Sequence, residues 1–572
     1  MFRTAVALSS CAFLMVAGAT PSEAVEEVSV QVWLTPDLAG AAAYATAVAT
    51  PGNPQFHRYL SPDAYTARFG PTAAQAAAVS KWLTGRGLSD VQIGKGRDYI
   101  AATGPESTVR SLRSRDDILG VTGLGSSGSA AVETAKRPTC SNHWAEHVQT
   151  IKPAFRGLTK GSLPICGYSA RQLRAAYGAS WAFTGKGQTV ALTEALAPTN
   201  MFQALREYAK QNQLPAPKPS QYREITAGRP CARASLRSAS RYDDEAEMDS
   251  EAVYAMAPHA NQLMVVGAGC DEDQALLNAV HTVLVGDGHR PSASIISNSW
   301  QIPIGTVAPK IIRALTVRAA AEGVGLYFSS GDTPGVTATA QDPFVVAVGG
   351  TTLGLGKRGQ RIFETGWSSA SASLEDGKWN YTGISSGGGG TSEVDAQPAY
   401  QKGVVPPSMS HIRVGDKTLV NRAVPDIAAV GDPDTGMLVG HLEADDNGKL
   451  QYRTQSTAGT SLSAPLVAGL IAGAQQGKQT SYGFINPILY RLHGSRAFHD
   501  VLPLPASTPP QNRAAYIPPD DTYSAGFDVF DSYDPTQTTQ RTAKGYDTST
   551  GLGTPNGLAF TLALRRTSPV AK

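Results

Sequence analysis

After Cys166 the sequence alternates between short apolar runs and longer helical stretches, and this alternation constrains the fold more than any other feature. Apolar strands that alternate with helices predict an α/β fold, in which helices cover both faces of a parallel sheet. In such sheets the reactive groups lie in loops at the carboxyl ends of the strands. The predicted strands are residues 189–193, 262–266, 293–297, 325–328 and 344–348, and the predicted helices are 201–213, 245–256, 273–285 and 309–321.

The first 24 residues predict a signal peptide, because Arg3 precedes an apolar stretch (5–19) and the small residues Ser22 and Ala24 follow it. That stretch is too short to span a membrane, and no later run reaches about 18 apolar residues. Lys and Arg (49) nearly balance Asp and Glu (47), so charge gives no reason to propose a polyanionic partner. We therefore expect a secreted, extracellular, soluble monomer that binds neither nucleic acid nor membrane.

Four cysteines remain once Cys11 has left with the signal peptide. An even number in an oxidising compartment predicts two disulfides, for which three connectivities are possible. We expect nearest neighbours to pair, Cys140 with Cys166 and Cys231 with Cys270. The alternative is four unpaired buried thiols.

The N-terminal part reads as a compact α+β unit, with strands at 28–34 and 98–102 and Ala-rich helices at 41–48 and 72–86. Residues 123–139 are rich in Gly, Ser and Ala without periodicity, which is typical of a flexible, protease-accessible linker. The sequence therefore predicts a signal peptide (1–24), an α+β domain (25–122), a linker region (123–165) and an α/β domain (166–572), and the resemblance described below assigns them the roles of prodomain, cleavage region and catalytic domain.

A serine at the start of a small apolar helix is the first candidate for chemistry. Ser461 stands in the run 459–465, which leads into the apolar stretch 466–474. Backbone N–H groups and the helix dipole at such a position favour developing negative charge, as a nucleophile requires. The alternative is an ordinary Ser/Thr-rich helix N-cap. A subtilisin-type histidine base would precede this serine, whereas His493 follows it and is interpreted as a loop residue.

Two acidic groups supply a different base. Glu245 and Asp249 are four residues apart, and apolar residues continue the same stripe at 252, 253 and 256. This spacing places both carboxylates on the face that buries the helix, whereas Glu247 and Glu251 point elsewhere. An acidic run is otherwise usually a solvated face. Asp332 follows the predicted strand 325–328, where catalytic groups concentrate, although a turn-forming Asp is the alternative.

Taken together, these groups resemble the sedolisin family, the serine-carboxyl peptidases, which have a subtilisin-like fold and use carboxylates in place of the histidine base. The family pattern Ser-Gly-Thr-Ser-x-x-x-Pro is matched around Ser461, with Ala458 in place of its first serine. The resemblance implies that Ser461 is the nucleophile, Glu245 the base, Asp249 the group that orients Glu245, and Asp332 the oxyanion donor.

Further positions resemble family elements. Glu194 resembles an acid that extends the carboxylate hydrogen-bond chain, and Trp300 resembles the tryptophan near the site, although each alone would be structural. Residues 59–62 and 69–71 resemble the family's activation domain, and 167–178 the start of its catalytic domain.

The resemblance implies a doubly wound, subtilisin-like catalytic domain after a smaller ferredoxin-like α+β prodomain of the pro-kumamolisin type. This prodomain would act as an intramolecular inhibitor until the chain is cut between residues 123 and 163. A Cys140–Cys166 bridge would favour a cut before Cys140.

The resemblance also implies one structural Ca²⁺ near the C-terminus. Calcium takes six to eight oxygens. The implied ligands are the carboxylates of Asp500 and Asp547 and the backbone carbonyls of Val501, Ala543 and Gly545, completed by water. The segment between the two halves of this site is long, and two unrelated Asp-containing turns are the alternative.

We thus expect a secreted, acid-acting serine-carboxyl endopeptidase of polypeptides, made as a self-processed zymogen and working at roughly pH 3 to 5. Three alternatives stay open. They are a tripeptidyl-peptidase of the same family, a subtilisin-type His-dependent peptidase that a histidine-directed reagent would inactivate, and a silent secreted binding protein that an active-site probe would not label.

Overall fold

The computed structural model describes residues 27–567 except 113–114, 126–133, 136–138, 230–238, 303–307, 446, 520–523, 535 and 537–538. The predicted signal peptide lies outside the described residues, and so does Cys231, the expected partner of Cys270. The other expected disulfide, Cys140–Cys166, is confirmed. None of the helices in the described part of the chain is long and apolar enough to cross a membrane.

The N-terminal unit is the predicted α+β prodomain. Its four strands pair antiparallel in the order β2-β3-β1-β4. With the helices in sequence this is the β-α-β-β-α-β arrangement of ferredoxin-like folds. The elements are β1 (Glu27–Leu34), α1 (Leu38–Ala49), α2 (Pro62–Arg68), α3 (Ala73–Gly85), β2 (Ser89–Ile93), β3 (Tyr99–Pro105), α4 (Glu106–Arg110) and β4 (Ile118–Thr122).

The linker between the two domains is shorter than the predicted range 123–165. That range contains β5 (Thr134–Ala135), β6 (Val148–Phe155) and β7 (Leu158–Ser162). Trp144 is 1% exposed within the main hydrophobic core of the catalytic domain. Residues 140–165 therefore pack with that domain. The predicted linker was too long because the Gly/Ser/Ala-rich composition that suggested it ends at Thr139.

The catalytic domain begins with the predicted alternation of strands and helices. Every predicted strand and helix after Cys166 is present, although the helix carrying Glu245 begins six residues earlier than expected. The elements are α5 (Ala170–Ala176), β8 (Thr189–Glu194), α6 (Met201–Gln211), β9 (Tyr222–Thr226), α7 (Ala239–Met256), β10 (Asn261–Val266), α8 (Glu272–Val285), β11 (Ile295–Asn298), α9 (Ala308–Glu322), β12 (Gly325–Ser329), β13 (Val346–Leu355) and β14 (Arg361–Gly366).

The second half of the domain is richer in antiparallel strands. It contributes one further strand to the central sheet and the long buried helix that carries Ser461. The elements are β15 (Ser368–Glu375), β16 (Lys378–Ser386), β17 (Gly390–Ala396), α10 (Pro407–Ser410), β18 (His411–Val414), β19 (Lys417–Val424), β20 (Ile427–Val430), β21 (Met437–Ala444), β22 (Leu450–Thr457), α11 (Thr460–Gln475), α12 (Asn486–Arg491), β23 (Phe498–His499), β24 (Ala514–Ile517), β25 (Gly526–Val529), β26 (Thr554–Pro555) and α13 (Gly557–Thr567).

The central sheet has the order β14-β13-β12-β11-β8-β10-β9, with β20 beside β13. Its strands run parallel apart from β14. One hydrophobic core packs α7 and α11 on one face, and a second packs α8 and α9 on the other. The α/β prediction is therefore confirmed, and the carboxyl ends of β8, β11 and β12 meet near the start of α11.

A six-stranded sheet of order β16-β15-β25-β24-β7-β6 was not predicted. Three distant segments build it, each supplying a hairpin. Its two outer strands also approach each other, since the Trp379 indole N–H donates to the carbonyl of Pro153 at 2.8 Å. Trp379, Phe155 and Phe527 fill its core.

The prodomain packs on the face of the catalytic domain that carries α8 and α9. Ala41 and Ala45 of α1 lie in one apolar cluster with Val317 and Ala320 of α9. Between the two domains Asp98 accepts hydrogen bonds from His281 Nε2 (2.9 Å) and from Arg318.

Candidate active site

Ser461 lies in the first turn of α11, a helix whose residues are all buried. Gly459 precedes this helix with φ +96°, and a Cβ there would lie 2.7 Å from Asp332 Oδ2. Gly469 lets the helix approach α7, since a Cβ there would lie 2.7 Å from the Cβ of Met256. These two glycines hold Ser461, which is 7% exposed, between α7 and the loop after β12.

Three carboxyl groups line one side of Ser461. Glu245 and Asp249 stand one turn apart on α7, as predicted, and Glu245 lies beside Ser461, whose hydroxyl donates to the backbone carbonyl of Ser299 at 3.3 Å. Asp249 is fully buried. Glu194, at the carboxyl end of β8, lies beside Asp249. The structure therefore brings together the residues that the resemblance assigned to one hydrogen-bond chain.

Burial raises the pKa of all three carboxyl groups. It raises the pKa of Asp249 to about 8, although hydrogen bonds from Ser299 and Glu194 oppose the rise. The pKa values of Glu245 and Glu194 also lie well above their usual range, through burial and then repulsion by Asp249. Because neighbouring like charges cannot all ionise cheaply, the group shares its protons and titrates as a unit.

Asp332 lies on the other side of Ser461, on the loop after β12. Its Oδ1 accepts hydrogen bonds from the backbone N–H and the hydroxyl of Thr460, each at 2.7 Å. Burial raises the pKa of Asp332, although these bonds oppose the rise. With Oδ1 anchored in this way, a proton on Oδ2 can point toward an oxyanion formed next to Ser461.

Trp300 is buried but donates to a hydroxyl and not to a carboxylate. Its indole N–H donates to Thr193 Oγ1 at 2.9 Å, and Thr193 in turn donates to Asn298 Oδ1 at 2.7 Å. The Asn298 amide donates to the carbonyl of Tyr327 at 3.3 Å. This network ties together β8, β11 and β12 directly beneath the site.

Ser299 is a site residue that the sequence analysis missed. Its hydroxyl lies 2.9 Å from each carboxylate oxygen of Asp249. In the sequence, only its position at the carboxyl end of a predicted central strand, next to Trp300, could have indicated a role in the site.

Glu247 and Glu251 lie on other faces of α7, as predicted, but they are also buried, at 4% and 0% exposure. The β21–β22 hairpin covers them, and the N–H of Gly440 donates to Glu251 Oε2 at 2.8 Å. Burial raises the pKa of Glu247 to about 9. The acidic run is therefore not a solvated face, because both sides of α7 are packed.

The candidate calcium residues lie in one loop cluster. The N–H of Gly545 donates to both carboxylate oxygens of Asp500 (3.0 and 3.2 Å), and that of Ala543 donates to Asp547 Oδ2 at 3.0 Å. Within the described chain no donor reaches the carbonyls of Val501, Ala543 or Gly545. Carboxylates and carbonyls are the oxygen ligands that calcium prefers. In this structure Asp547 Oδ1 also accepts from the N–H groups of Ser549 (2.9 Å) and Thr550 (2.6 Å).

Comparison with known proteins shows where this architecture belongs. A family model described as "Pro-kumamolisin, activation domain" matches residues 17–154, and one described as "Subtilase family" matches residues 238–486. Kumamolisin from a Bacillus species is 32% identical over 336 residues, which cover 56% of this chain and 51% of that protein. Sedolisin from a Pseudomonas species is 25% identical over 471 residues, covering 77% and 74%. These matches show a pro-kumamolisin-type activation domain and a subtilase-family domain in one chain, and they support a relationship to the sedolisin family.

A solved structure supports the fold of the catalytic domain. Pseudomonas sedolisin, complexed with two molecules of pseudo-iodotyrostatin, matches with a TM-score of 0.52 and 21% identity. The match covers 70% of this chain and 98% of that one. The subtilisin-like α/β fold of the catalytic domain is thereby confirmed. The match to kumamolisin spans about half of that relative's length.

Proposed function

We propose that this protein is a secreted, acid-acting serine-carboxyl endopeptidase that cleaves polypeptides through an acyl-enzyme on Ser461. One observation carries the proposal. Ser461 stands at the start of a buried helix between a proton-sharing carboxyl cluster and the anchored carboxyl group of Asp332. A nucleophile needs a base on one side and an oxyanion donor on the other, and this arrangement offers both.

In the first half of the reaction, Ser461 Oγ attacks the carbonyl carbon of the peptide and its proton passes to Glu245. Asp332, protonated, donates a hydrogen bond to the resulting oxyanion. When the intermediate collapses, the C–N bond breaks, the amine leaves with the proton from Glu245, and the acyl group remains as an ester on Ser461. Water then attacks this ester and gives a proton to Glu245. When this second intermediate collapses, the C–O bond to Ser461 breaks, Glu245 returns the proton to Ser461 Oγ, and the carboxylic acid leaves.

The raised pKa of Asp332 suits acid solution, because Asp332 then keeps the proton that it must donate to the oxyanion. Glu245 must be charged to act as the base. Burial and then repulsion by Asp249 raise the pKa of Glu245, whereas the contact with the Ser461 hydroxyl lowers it and favours the charged form.

Digestion of a denatured protein mixture by the processed enzyme, between pH 2 and 8, tests this function. We expect internal cuts, read by mass spectrometry, that are most numerous in acid. Release of tripeptides from free N-termini alone would favour the tripeptidyl-peptidase alternative, and no cleavage at any pH would contradict the proposal.

The prodomain is proposed to inhibit the enzyme until the chain is cut, and Asp98 anchors it. Its carboxyl group, 13% exposed, lies against His281 and Arg318. Burial acts to raise the pKa of Asp98, but Arg318 and His281 outweigh it and lower that pKa. Removing one partner of such a buried charge pair costs about 2–5 kcal/mol.

We therefore expect the Asp98→Asn precursor to activate faster than wild type, and at higher pH, because the prodomain is held less tightly. The measurement is the rate at which peptidase activity appears after purified precursor is transferred to acid. Asp90→Asn is the matched control, since Asp90 is exposed on the same domain. Equal activation of wild type and Asp98→Asn would show that this contact does not hold the prodomain.

The loop around Asp500 and Asp547 is proposed to bind one structural Ca²⁺. An ion that binds only the native state stabilises it by about 2.7 kcal/mol at a hundredfold excess over its Kd. We expect chelation to lower the melting temperature of the Ser461→Ala protein by several degrees, and Asp500→Ala to remove the response to chelation. Asp416→Ala, at an exposed hairpin, should keep it. An unchanged melting temperature of the Ser461→Ala protein after chelation would contradict the site.

A further inference from the structure

Ser299 contacts both halves of the candidate active site. It follows β11 directly and is 7% exposed. Its hydroxyl lies 2.9 Å from both carboxylate oxygens of Asp249 and 3.0 Å from the backbone carbonyl of Ser461. Its own carbonyl accepts a hydrogen bond from Ser461 Oγ at 3.3 Å. One residue thus joins a carboxyl group of α7 to the nucleophile of α11.

Pro465 explains why the Ser461 carbonyl needs an external donor. In a regular helix that carbonyl would accept the N–H of the residue four positions later. Residue 465 is a proline within α11, and proline has no N–H. The Ser299 hydroxyl is placed to supply the missing donor.

A hydroxyl group suits this position because it has one proton and two lone pairs. When Asp249 is charged, Ser299 can donate to it. When Asp249 holds a proton, Asp249 can donate to Ser299 Oγ, which then donates to the Ser461 carbonyl. The other titratable groups beside Asp249 are Glu194 and Glu245, so the contact persists while these three share protons.

Asn298, the residue before Ser299, is held on both sides. Its side chain accepts from Thr193 on β8 and donates to the carbonyl of Tyr327 on β12. The three central strands therefore fix the point from which the Ser299 hydroxyl reaches Asp249 and Ser461.

We propose that Ser299 is a positioning residue for the reaction, whose hydroxyl holds Asp249 in register with the backbone of Ser461. The inference rests on the proposed function. In this role Ser299 positions Asp249 relative to Ser461 and does not contact the substrate.

The test compares purified, fully processed variants on one peptide substrate. A misplacement of catalytic groups by about 1 Å can cost about 100-fold, so we expect Ser299→Ala to lower kcat about 10- to 100-fold and to change KM less than about twofold. Ser299→Thr keeps the hydroxyl and should restore most of kcat. Ser297→Ala is the matched control, because the Ser297 hydroxyl is buried on β11, two residues before Ser299, without a partner among the described residues.

Ser299→Cys keeps the shape of the side chain with a somewhat larger atom and offers only a weak donor, so it should lose kcat as Ser299→Ala does. If the Ser299→Ala protein does not fold, Ser299→Cys tests the proposal in its place. Wild-type kcat in the alanine or cysteine variant would overturn the positioning role, and so would a threonine variant as slow as the alanine one. If wild type itself shows no Ser461-dependent hydrolysis, the proposed function fails instead.

Discussion

Replacement of Ser461 by alanine is expected to leave a folded precursor that neither cuts itself nor hydrolyses peptides. Members of a catalytic triad act as a unit, so the loss of the nucleophile should lower kcat by about 10⁴-fold or more. The small side chain of alanine fits the wholly buried first turn of α11 without a clash. Electrophoresis of the purified protein at acid pH, over a day, measures self-cleavage, and a peptide assay measures turnover.

Ser463→Ala is the matched control for Ser461→Ala. Its hydroxyl lies on the same helix, where it donates to the carbonyl of Val430 at 2.9 Å, and it serves packing. We expect this variant to process and to cleave peptides, even if its stability falls. Normal processing of Ser461→Ala, with no other protease present, would defeat both the nucleophile assignment and the self-cleavage proposal.

Replacement of Asp332 is expected to have the second largest effect on the rate. Removal of one oxyanion donor costs about 10²–10³-fold in kcat, so Asp332→Ala should lose that much at acid pH. In Asp332→Asn the amide oxygen can still accept from Thr460 and the N–H₂ group can still donate. It cannot share a proton with its neighbours, however, and we expect a much lower rate than wild type in acid.

The pH dependence of Asp332→Asn separates this role from a structural one. An amide donates at every pH, whereas Asp332 stops donating when it ionises. The residual rate of Asp332→Asn should therefore not fall as the pH rises through the raised pKa of Asp332. Full retention of the acid rate in both variants would mean that Asp332 is only a turn residue.

The core of the candidate site could be predicted from sequence because it depends on local order. The spacing of Glu245 and Asp249 is a helical turn, and Asp332 follows a strand that burial makes easy to identify. Ser299 could not be predicted, since its partners lie 50 and 162 residues away and meet it only through the order of three parallel strands.

The fold shows the same limit. The alternation after Cys166 predicted the central sheet, whereas the six-stranded sheet draws hairpins from three segments whose mutual pairing no local pattern indicates. The burial of Glu251 likewise depends on a hairpin that lies almost 190 residues later in the chain. Such contacts arise from tertiary packing, which overrides the tendency of acidic runs to face solvent.

The pH dependence of the wild-type rate tests the central claim, that carboxyl groups and not a histidine run this chemistry. Burial raises the pKa of Asp332, so its donating proton is kept in acid and lost as the pH rises through that pKa. A histidine base would instead be neutral and active only above about pH 6.5. Initial rates on one unfolded peptide between pH 4 and 7 should therefore fall steadily toward neutrality. A rate that rises from pH 4 to 7 would contradict the carboxylate mechanism.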